Sequence, residues 1–211
     1  MIRIKICGIT NWTDARHAVE AGAHVLGFNF YAKSPRYIAP DDARRIAGRL
    51  PRRIQTAGVF VNASAKEILK LARAVDLNLL QLHGTESPAS VGELADHYPV
   101  IKAFQVGPRF QPTNLKRYSD AEFFLLDGHS PTRRGGTGKT FNWAIARRSG
   151  KYGPIFVAGG LTPENVGAAI RAAHPYAVDV CSGVENSPGK KDPIRMEELV
   201  RAVDDASREM Q

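Results

Sequence analysis

The sequence has little cysteine and no long hydrophobic run. Its 211 residues include only two cysteines, Cys7 and Cys181, too few for the disulfide framework of a small secreted protein, and no Cys/His spacing of the zinc-binding kind accompanies them. No apolar run approaches the roughly 20 residues that cross a bilayer, and the first residues lack the apolar core of a secretory signal. We therefore expect a cytoplasmic protein with neither membrane association nor a metal site.

The charge is unbalanced, with a formal net charge of +8. A basic chain suggests a nucleic-acid partner, but here the basic pairs are scattered and none lies in a recognisable nucleic-acid-binding module. These pairs are Arg44-Arg45, Arg52-Arg53, Arg133-Arg134, Arg147-Arg148 and Lys190-Lys191. We expect a solvated basic surface that helps to steer anionic small substrates, and no nucleic-acid partner.

The chain does contain a regular alternation of strand and helix patterns. Ile2, Ile4 and Ile6 alternate with polar residues, which is typical of a short strand. Ser64 with Glu67 forms a capping box, the sequence signature of a helix start. Further strands are predicted at 24–30, 56–61, 77–82, 100–104, 123–126, 155–158 and 177–180, and helical patterns follow most of them.

This alternation predicts the fold class. About eight strand–helix units, spaced about 25 residues apart, favour a parallel sheet closed into a single (β/α)8 TIM barrel over residues 1–211. The competing architecture is an open doubly wound sheet. The Gly-x-Gly-x-x-Gly motif that commonly follows the first strand of such a sheet is absent, which favours the barrel.

In such a barrel the carboxyl ends of all strands meet on one face, where the active site forms. The predicted strand ends carry titratable groups, hydrogen-bond donors and glycines: Cys7-Gly8, Asn29 with Arg36, Asn62, Gln81-His83-Gly84, Lys102, Asp127-Gly128, Gly159-Gly160, and Asp179 with Cys181-Ser182-Gly183. Cys7 and Asp127 form a possible base and acid on a substrate held between them. The alternatives are that Cys7 is a small buried apolar residue and that Asp127 caps its glycine loop.

The loops after the predicted seventh and eighth strands have the composition of a phosphate site. They contain Gly159 and Gly160 before a helix start at Thr162, and Ser182 and Gly183 after strand eight. Glycine lets backbone N–H groups approach phosphate oxygens, and a helix N-terminus supplies partial positive charge. We expect phosphate binding at these loops; the alternative is that the glycines only form tight turns.

Two motifs suggest other chemistry. Residues 135–140 resemble a nucleotide-binding P-loop, but Arg133 stands where the first glycine is required and no clear strand immediately precedes it. We interpret this glycine-rich segment as a mobile lid over the barrel rim. His83 ends a strand without metal-ligand companions, so we expect it to form local hydrogen bonds.

A series of short motifs runs through the chain in a fixed order: residues 5–10, 27–30, 34–36, 58–62, 81–84, 126–127, 135–138, 158–161, 182–185 and 188–192. Together they resemble the phosphoribosylanthranilate isomerase family nearly end to end. The resemblance implies an Amadori rearrangement of N-(5-phosphoribosyl)anthranilate, an aldose, to 1-(2-carboxyphenylamino)-1-deoxyribulose 5-phosphate, a ketose, in tryptophan biosynthesis. It implies no cofactor and no metal.

The resemblance also implies residue roles. Asp127 would be the general acid that protonates the ribose ring oxygen, and Cys7 the base that removes the C2 proton. A free thiol titrates near pH 8.5, so Cys7 would need a lowered pKa. Arg36 would bind the anthranilate carboxylate. Backbone groups of Gly159, Gly160, Ser182 and Gly183 would hold the phosphate.

The sequence departs from the family pattern at Cys181, where serine is common, and at Asn142, where aspartate is common. Cys181 keeps its backbone N–H, so we expect phosphate binding to persist. No indole-glycerol-phosphate synthase segment is present, so a monofunctional enzyme is expected, either monomer or homodimer. The alternatives are a ribotide isomerase of histidine synthesis, although that family resembles a duplication with paired aspartates, and a catalytically silent barrel that binds phosphate ligands.

Overall fold

The computed structural model describes residues 1–128 and 140–210, which form a closed barrel of eight parallel strands in sequence order. The barrel closes because β1 pairs with both β2 and β8. The strands are β1 Arg3–Cys7, β2 Val25–Asn29, β3 Gln55–Phe60, β4 Leu79–Leu82, β5 Val100–Val106, β6 Phe123–Gly128, β7 Ile155–Val157 and β8 Ala177–Val180. The predicted (β/α)8 barrel is confirmed. The predicted lid at 135–140 lies, except for Thr140, outside the described residues.

Helices connect the strands and surround the barrel. They are α1 Trp12–Ala21, α2 Pro40–Ala47, α3 Ala65–Val75, α4 Pro88–Ala95, α5 Ala144–Ser149, α6 Pro163–Ala173 and α7 Pro193–Arg208. The capping box of Ser64 and Glu67 begins α3, as predicted. Among these described helices, none is both long and apolar enough to cross a membrane.

The connection between β5 and β6 contains a 3-10 helix, Pro112–Tyr118, where the sequence around Leu115 predicts only a weakly patterned helix. Only Leu115 of this segment is buried, so it lacks the apolar stripe that stabilises a longer α-helix against a sheet. A second difference follows β8. There, β9 Glu185–Ser187 and β10 Lys190–Lys191 form a small antiparallel hairpin that the sequence pattern did not reveal.

Strand β1 shows how side chains divide between the core under the helices and the interior of the barrel. Ile4 and Ile6 face outward into the core shared with the helices. Lys5 pairs in register with Val25, which belongs to the separate apolar cluster inside the barrel. Successive side chains of a strand point to opposite faces, so Lys5 and Cys7 point into the barrel, and Lys5 has no exposed surface. The interior therefore changes from apolar to polar towards the carboxyl ends of the strands.

Candidate active site

A cavity of about 720 Å³ opens at the carboxyl ends of the strands. Most of the residues that the sequence singled out line it, namely Cys7, Arg36, Gln81, His83, Asp127, Gly159, Gly160, Asp179, Cys181 and Ser182. Asn29 lines it as well, whereas Gly8, Asn62, Gly84, Lys102, Gly128 and Gly183 do not. Asn62 and Lys102 lie in the neighbouring loop network around Glu86, and Gly183 packs against the backbone of Leu161.

Cys7 lies at the end of β1 with its thiol almost completely buried. Its sulfur packs on Gly27 of β2, where an added Cβ would lie 2.8 Å from Sγ, so a side chain at position 27 would displace the thiol. The neighbouring Cys181 thiol lowers the pKa of Cys7 well below the usual value; burial opposes this shift, and the Lys5 charge reinforces it. The interaction with Cys7 and burial raise the pKa of Cys181, so Cys7 is the more acidic of the two thiols.

A buried ion pair lies beside Cys7. Lys5 Nζ donates a 2.8 Å hydrogen bond to Asp179 Oδ1 on β8. Burial alone would lower the pKa of Lys5, but the negative charges of Asp179 and Cys7 outweigh it and raise that pKa. Burial also raises the pKa of Asp179 to about 6, against the opposing effect of Lys5. Both groups are thus charged at neutral pH.

Asp127 lies at the end of β6 and is only 2% exposed. One carboxylate oxygen, Oδ2, lies 3.4 Å from His83 Nε2, whereas Oδ1 is buried without a hydrogen-bond partner among the described residues. Gln81 Nε2 contacts His83 Nδ1 at 2.8 Å, so the predicted local hydrogen bonding of His83 is confirmed. An added Cβ at Gly159 would lie 2.5 Å from Asp127 Oδ1, so a larger residue at position 159 would displace the carboxylate.

Arg36 is held at the opposite rim by Glu185 of the β9–β10 hairpin. Its Nε and Nη2 atoms donate to the Glu185 carboxylate at distances of 2.6 to 3.1 Å. Lys191 Nζ donates to the same carboxylate at 2.8 Å. The bond from Arg36, and then the charge of Lys191, lower the pKa of Glu185 despite burial. Arg36 Nη1 donates to no acceptor among the described residues, so that edge of the guanidinium remains available to a ligand.

The loops after β7 and β8 come together as the sequence predicted. Gly159 and Gly160 have φ values of 80° and 63°, the left-handed region that favours glycine. Within residues 1–128 and 140–210, the backbone N–H groups of Gly159, Gly160, Ser182 and Gly183 donate to no protein acceptor. Since buried or half-buried amides normally have partners, these donors are suited to an anionic ligand.

Sequence reasoning missed the buried ion pair of Lys5 with Asp179 and the contacts of Glu185 with Arg36 and Lys191. Lys5 could have been found, because it alternates in phase with Cys7 and so points to the same side of β1. The partnership of Arg36 with Glu185 had no such signal, since 149 positions separate the two residues. In the part of the chain that the structure describes, no group of three or more His, Cys, Asp or Glu side chains has the arrangement of a metal site.

Comparison with known proteins agrees with this geometry. Residues 4–202 match the family model "N-(5'phosphoribosyl)anthranilate (PRA) isomerase". The N-(5'-phosphoribosyl)anthranilate isomerase of Geobacter metallireducens is 46% identical over 201 residues, covering 95% of this chain and 98% of the relative. The crystal structure of phosphoribosyl anthranilate isomerase from Thermotoga maritima superposes with a TM-score of 0.91 at 43% identity and covers 97% of this chain and 100% of the other.

A further solved structure adds a ligand to the comparison. It is a phosphoribosyl anthranilate isomerase in complex with reduced 1-(o-carboxyphenylamino)-1-deoxyribulose 5-phosphate, with a TM-score of 0.85 and 40% identity. It covers 97% of this chain and 100% of its own. Family model, relatives and structures agree over nearly the whole length. The chain therefore belongs to the N-(5'-phosphoribosyl)anthranilate isomerase family, the isomerases of tryptophan biosynthesis.

Proposed function

We propose that this chain is a single catalytic domain that converts N-(5-phosphoribosyl)anthranilate to 1-(2-carboxyphenylamino)-1-deoxyribulose 5-phosphate, with Cys7 as general base and Asp127 as general acid. The observation that carries the proposal is that Cys7 of β1 and Asp127 of β6 line one cavity together with Gly159, Gly160 and Ser182, whose backbone N–H groups donate to no acceptor among the described residues. A thiol and a carboxyl on different strands of the barrel suit an acid and a base that act on different atoms of one substrate.

The first step is opening of the ribose ring. Asp127 gives a proton to the ring oxygen, the bond between that oxygen and C1 breaks, and the anthranilate nitrogen becomes an iminium. Asp127 lines the cavity, and the His83 ring beside its Oδ2 supports this role because it orients the carboxyl group.

The second step is proton removal. The Cys7 thiolate takes the C2 proton, and the electrons of the C2–H bond form the C1–C2 double bond while neutralising the iminium. The resulting enolamine tautomerises to the ketose, so the substrate neither gains nor loses atoms. The lowered pKa of Cys7 supports the role of base, because a larger fraction of the sulfur is then ionised at neutral pH.

Binding is assigned to the two ends of the cavity. The free edge of the Arg36 guanidinium would bind the anthranilate carboxylate through two parallel hydrogen bonds. At the other end, the amides of Gly159, Gly160, Ser182 and Gly183 would hold the phosphate, close to the N-terminus of α6. The reaction as proposed needs no cofactor. Whether the enzyme acts as a monomer or a homodimer stays a prediction.

The test follows the decay of phosphoribosylanthranilate fluorescence after addition of the purified protein, with Cys7→Ala and Asp127→Asn compared with wild type. Loss of a positioned acid or base typically costs about 10²- to 10⁴-fold in rate, and we expect each variant to lose at least that. Asp205→Asn, on the exposed surface of α7, is the matched control and should be as active as wild type.

Circular dichroism and binding of inorganic phosphate show whether the inactive variants are folded. Full activity of Cys7→Ala or Asp127→Asn would refute the assigned roles. A wild-type protein that binds phosphate yet does not act on phosphoribosylanthranilate would refute the proposed reaction, and the ribotide substrate of the histidine-pathway isomerase would then be tested.

A further inference from the structure

The strongest unassigned feature beside the cavity is the buried amine of Lys5. It is fully buried inside the barrel, where a lysine is among the most costly residues to place. Among the described residues, the only side-chain oxygen that accepts a hydrogen bond from this amine is Asp179 Oδ1, at 2.8 Å. An ammonium group has three N–H donors, so its other donors are available to a neighbour on the cavity side.

That neighbour is the Cys7 sulfur. Lys5 and Cys7 are two residues apart on β1 and therefore point to the same side of the strand. The Cβ position of Gly27, on the adjacent strand, lies 2.8 Å from Cys7 Sγ and 3.1 Å from Lys5 Nζ. The sulfur and the nitrogen thus both border the position that a Cβ atom at residue 27 would occupy.

We propose that Lys5 is a positioning residue for the isomerase reaction: its buried ammonium, anchored by Asp179, holds the Cys7 sulfur as a thiolate ready to remove the substrate proton. The proposal rests on the proposed function for the use of that thiolate, but the state of the sulfur is measured without substrate. Asp179 has two opposing effects, because it fixes the amine and also repels the thiolate.

Other charged or titratable groups also act on this site. From the elements packed around Cys7, they are Asp179 and Cys181 at β8, Lys191 of β10, Arg36 of the loop after β2 and, beyond Asp179, His83 after β4. Lys191 and Arg36 are both bonded to Glu185, so their charges are partly neutralised. Lys5 is the cation on the same strand and the same face as the sulfur. Substitution of Lys5 therefore tests its effect on the Cys7 sulfur separately from the effects of Lys191 and Arg36.

The experiment titrates the thiolate absorbance near 240 nm in a Cys181→Ser background, in which Cys7 is the only cysteine of the chain. The corresponding Cys7→Ser, Cys181→Ser protein provides the blank. Two changes are compared in this background. Lys5→Met with Asp179→Asn removes both charges and leaves no unpaired buried ion, whereas Asp179→Asn alone keeps the ammonium and removes the competing carboxylate.

We expect the two changes to act in opposite directions. The titration midpoint of Cys7 should rise by about one pH unit or more without the ammonium, and should stay equal or fall in Asp179→Asn. The rate of iodoacetamide alkylation at neutral pH should fall about tenfold in Lys5→Met with Asp179→Asn and should be maintained in Asp179→Asn alone, because the thiolate is the nucleophile. In turnover, the acidic limb of the kcat profile should move with the midpoint.

An unchanged midpoint without the ammonium would overturn the inference, and so would a rise of similar size in both variants, which a purely structural role of the pair would produce. If the double substitution does not fold, Lys5→Arg and Asp179→Asn decide: a raised midpoint in either protein contradicts the inference. A midpoint that moves as expected in a protein whose Cys7→Ala variant still turns over would refute the proposed function and leave the electrostatic relationship intact.

Discussion

Arg36 and Glu185 are joined through two nitrogen atoms of the guanidinium and both oxygens of the carboxylate. This pairing occupies the Nε edge of Arg36 and holds the group at the rim of the cavity, with only 13% of the arginine side chain exposed. The edge formed by Nη1 and the remaining Nη2 proton has no acceptor among the described residues. A lysine would keep the charge but would lose this two-sided geometry.

Arg36→Lys should therefore weaken substrate binding more than it slows chemistry. We expect KM to rise about tenfold or more, which corresponds to about 1.4 kcal/mol of binding free energy, with a smaller change in kcat. Steady-state kinetics measures both values. Arg45→Lys, on the exposed side of α2, is the control and should behave as wild type. A KM that Arg36→Lys leaves unchanged would contradict the assignment of Arg36 to the carboxylate.

Gly183→Ala tests the junction of the two phosphate loops. An added Cβ would lie 1.8 Å from the carbonyl oxygen of Leu161, so the loops after β7 and β8 must move apart, at a cost of about 1 to 3 kcal/mol of stability. We expect inhibition by inorganic phosphate to weaken and KM to rise. Gly150→Ala is the matched control, because nothing lies within 4 Å of its Cβ position and its φ is −58°.

Gly150→Ala should leave phosphate inhibition unchanged and raise the free energy of unfolding slightly, by up to about 1 kcal/mol. Thermal unfolding and phosphate inhibition of the two variants distinguish a local effect from a general one. Equal phosphate affinity in Gly183→Ala and wild type would show that the loop junction is not part of the anion site.

Glu86 and Lys102 form a buried ion pair with an N–O distance of 2.7 Å and almost no exposed side-chain surface. Burial alone would raise the pKa of Glu86, but the charge of Lys102 and its hydrogen bonds lower it below the 4.5 of a free glutamate. The carboxylate therefore stabilises the fold above that pH, and its contribution is lost as the pH falls through the folded-state pKa.

Glu86→Gln should lower the free energy of unfolding by about 3 kcal/mol at neutral pH, because Lys102 is left as an unpaired buried cation. The difference from wild type should shrink as the pH falls below 4.5 and through the lowered pKa of Glu86, where wild type loses this charge as well. Urea unfolding at a series of pH values measures this. Glu20→Gln, which breaks the exposed pair with Arg16, should cost about 0.5 kcal/mol or less. If Glu86→Gln lowered the free energy of unfolding by the same amount at all pH values, the stabilisation would not come from the charge of Glu86.

Cys7 and Cys181 follow the paired residues Ile6 and Val180 on adjacent strands, and neighbouring strands lie about 4.8 Å apart, within the Cα separations that a disulfide spans. We expect hydrogen peroxide to oxidise the Cys7 thiolate to a sulfenic acid with release of hydroxide. The Cys181 thiol then displaces water and forms the disulfide. Activity should fall and return with dithiothreitol, and the oxidised chain should lack two hydrogen atoms by mass spectrometry.

In Cys181→Ser the disulfide cannot form, so we expect peroxide to drive Cys7 on to sulfinic acid and the loss of activity to become irreversible. Each protein is compared with its own rate before treatment. Full recovery of peroxide-treated Cys181→Ser with dithiothreitol would contradict the pairing of the two cysteines.

Sequence patterns alone predicted the barrel and the face that carries the candidate site. Alternating strand and helix patterns leave few ways to bury both faces of a parallel sheet, and closure then places Cys7, Asp127 and the glycine loops on one face. Local signals of this kind, such as the capping box at Ser64 and the glycines of the loop after β7, depend on neighbours in the chain and were therefore predictable.

Which charged residues meet depends instead on contacts between distant parts of the chain. The partnerships of Lys5 with Asp179 and of Arg36 with Glu185 join residues 174 and 149 positions apart. Strand register and the β9–β10 hairpin bring them together, and neither leaves a periodic signal in the sequence. Burial then sets the strength of these pairs, because charges interact more strongly where water is excluded. The ionisation of Cys7 is consequently a property of the folded barrel.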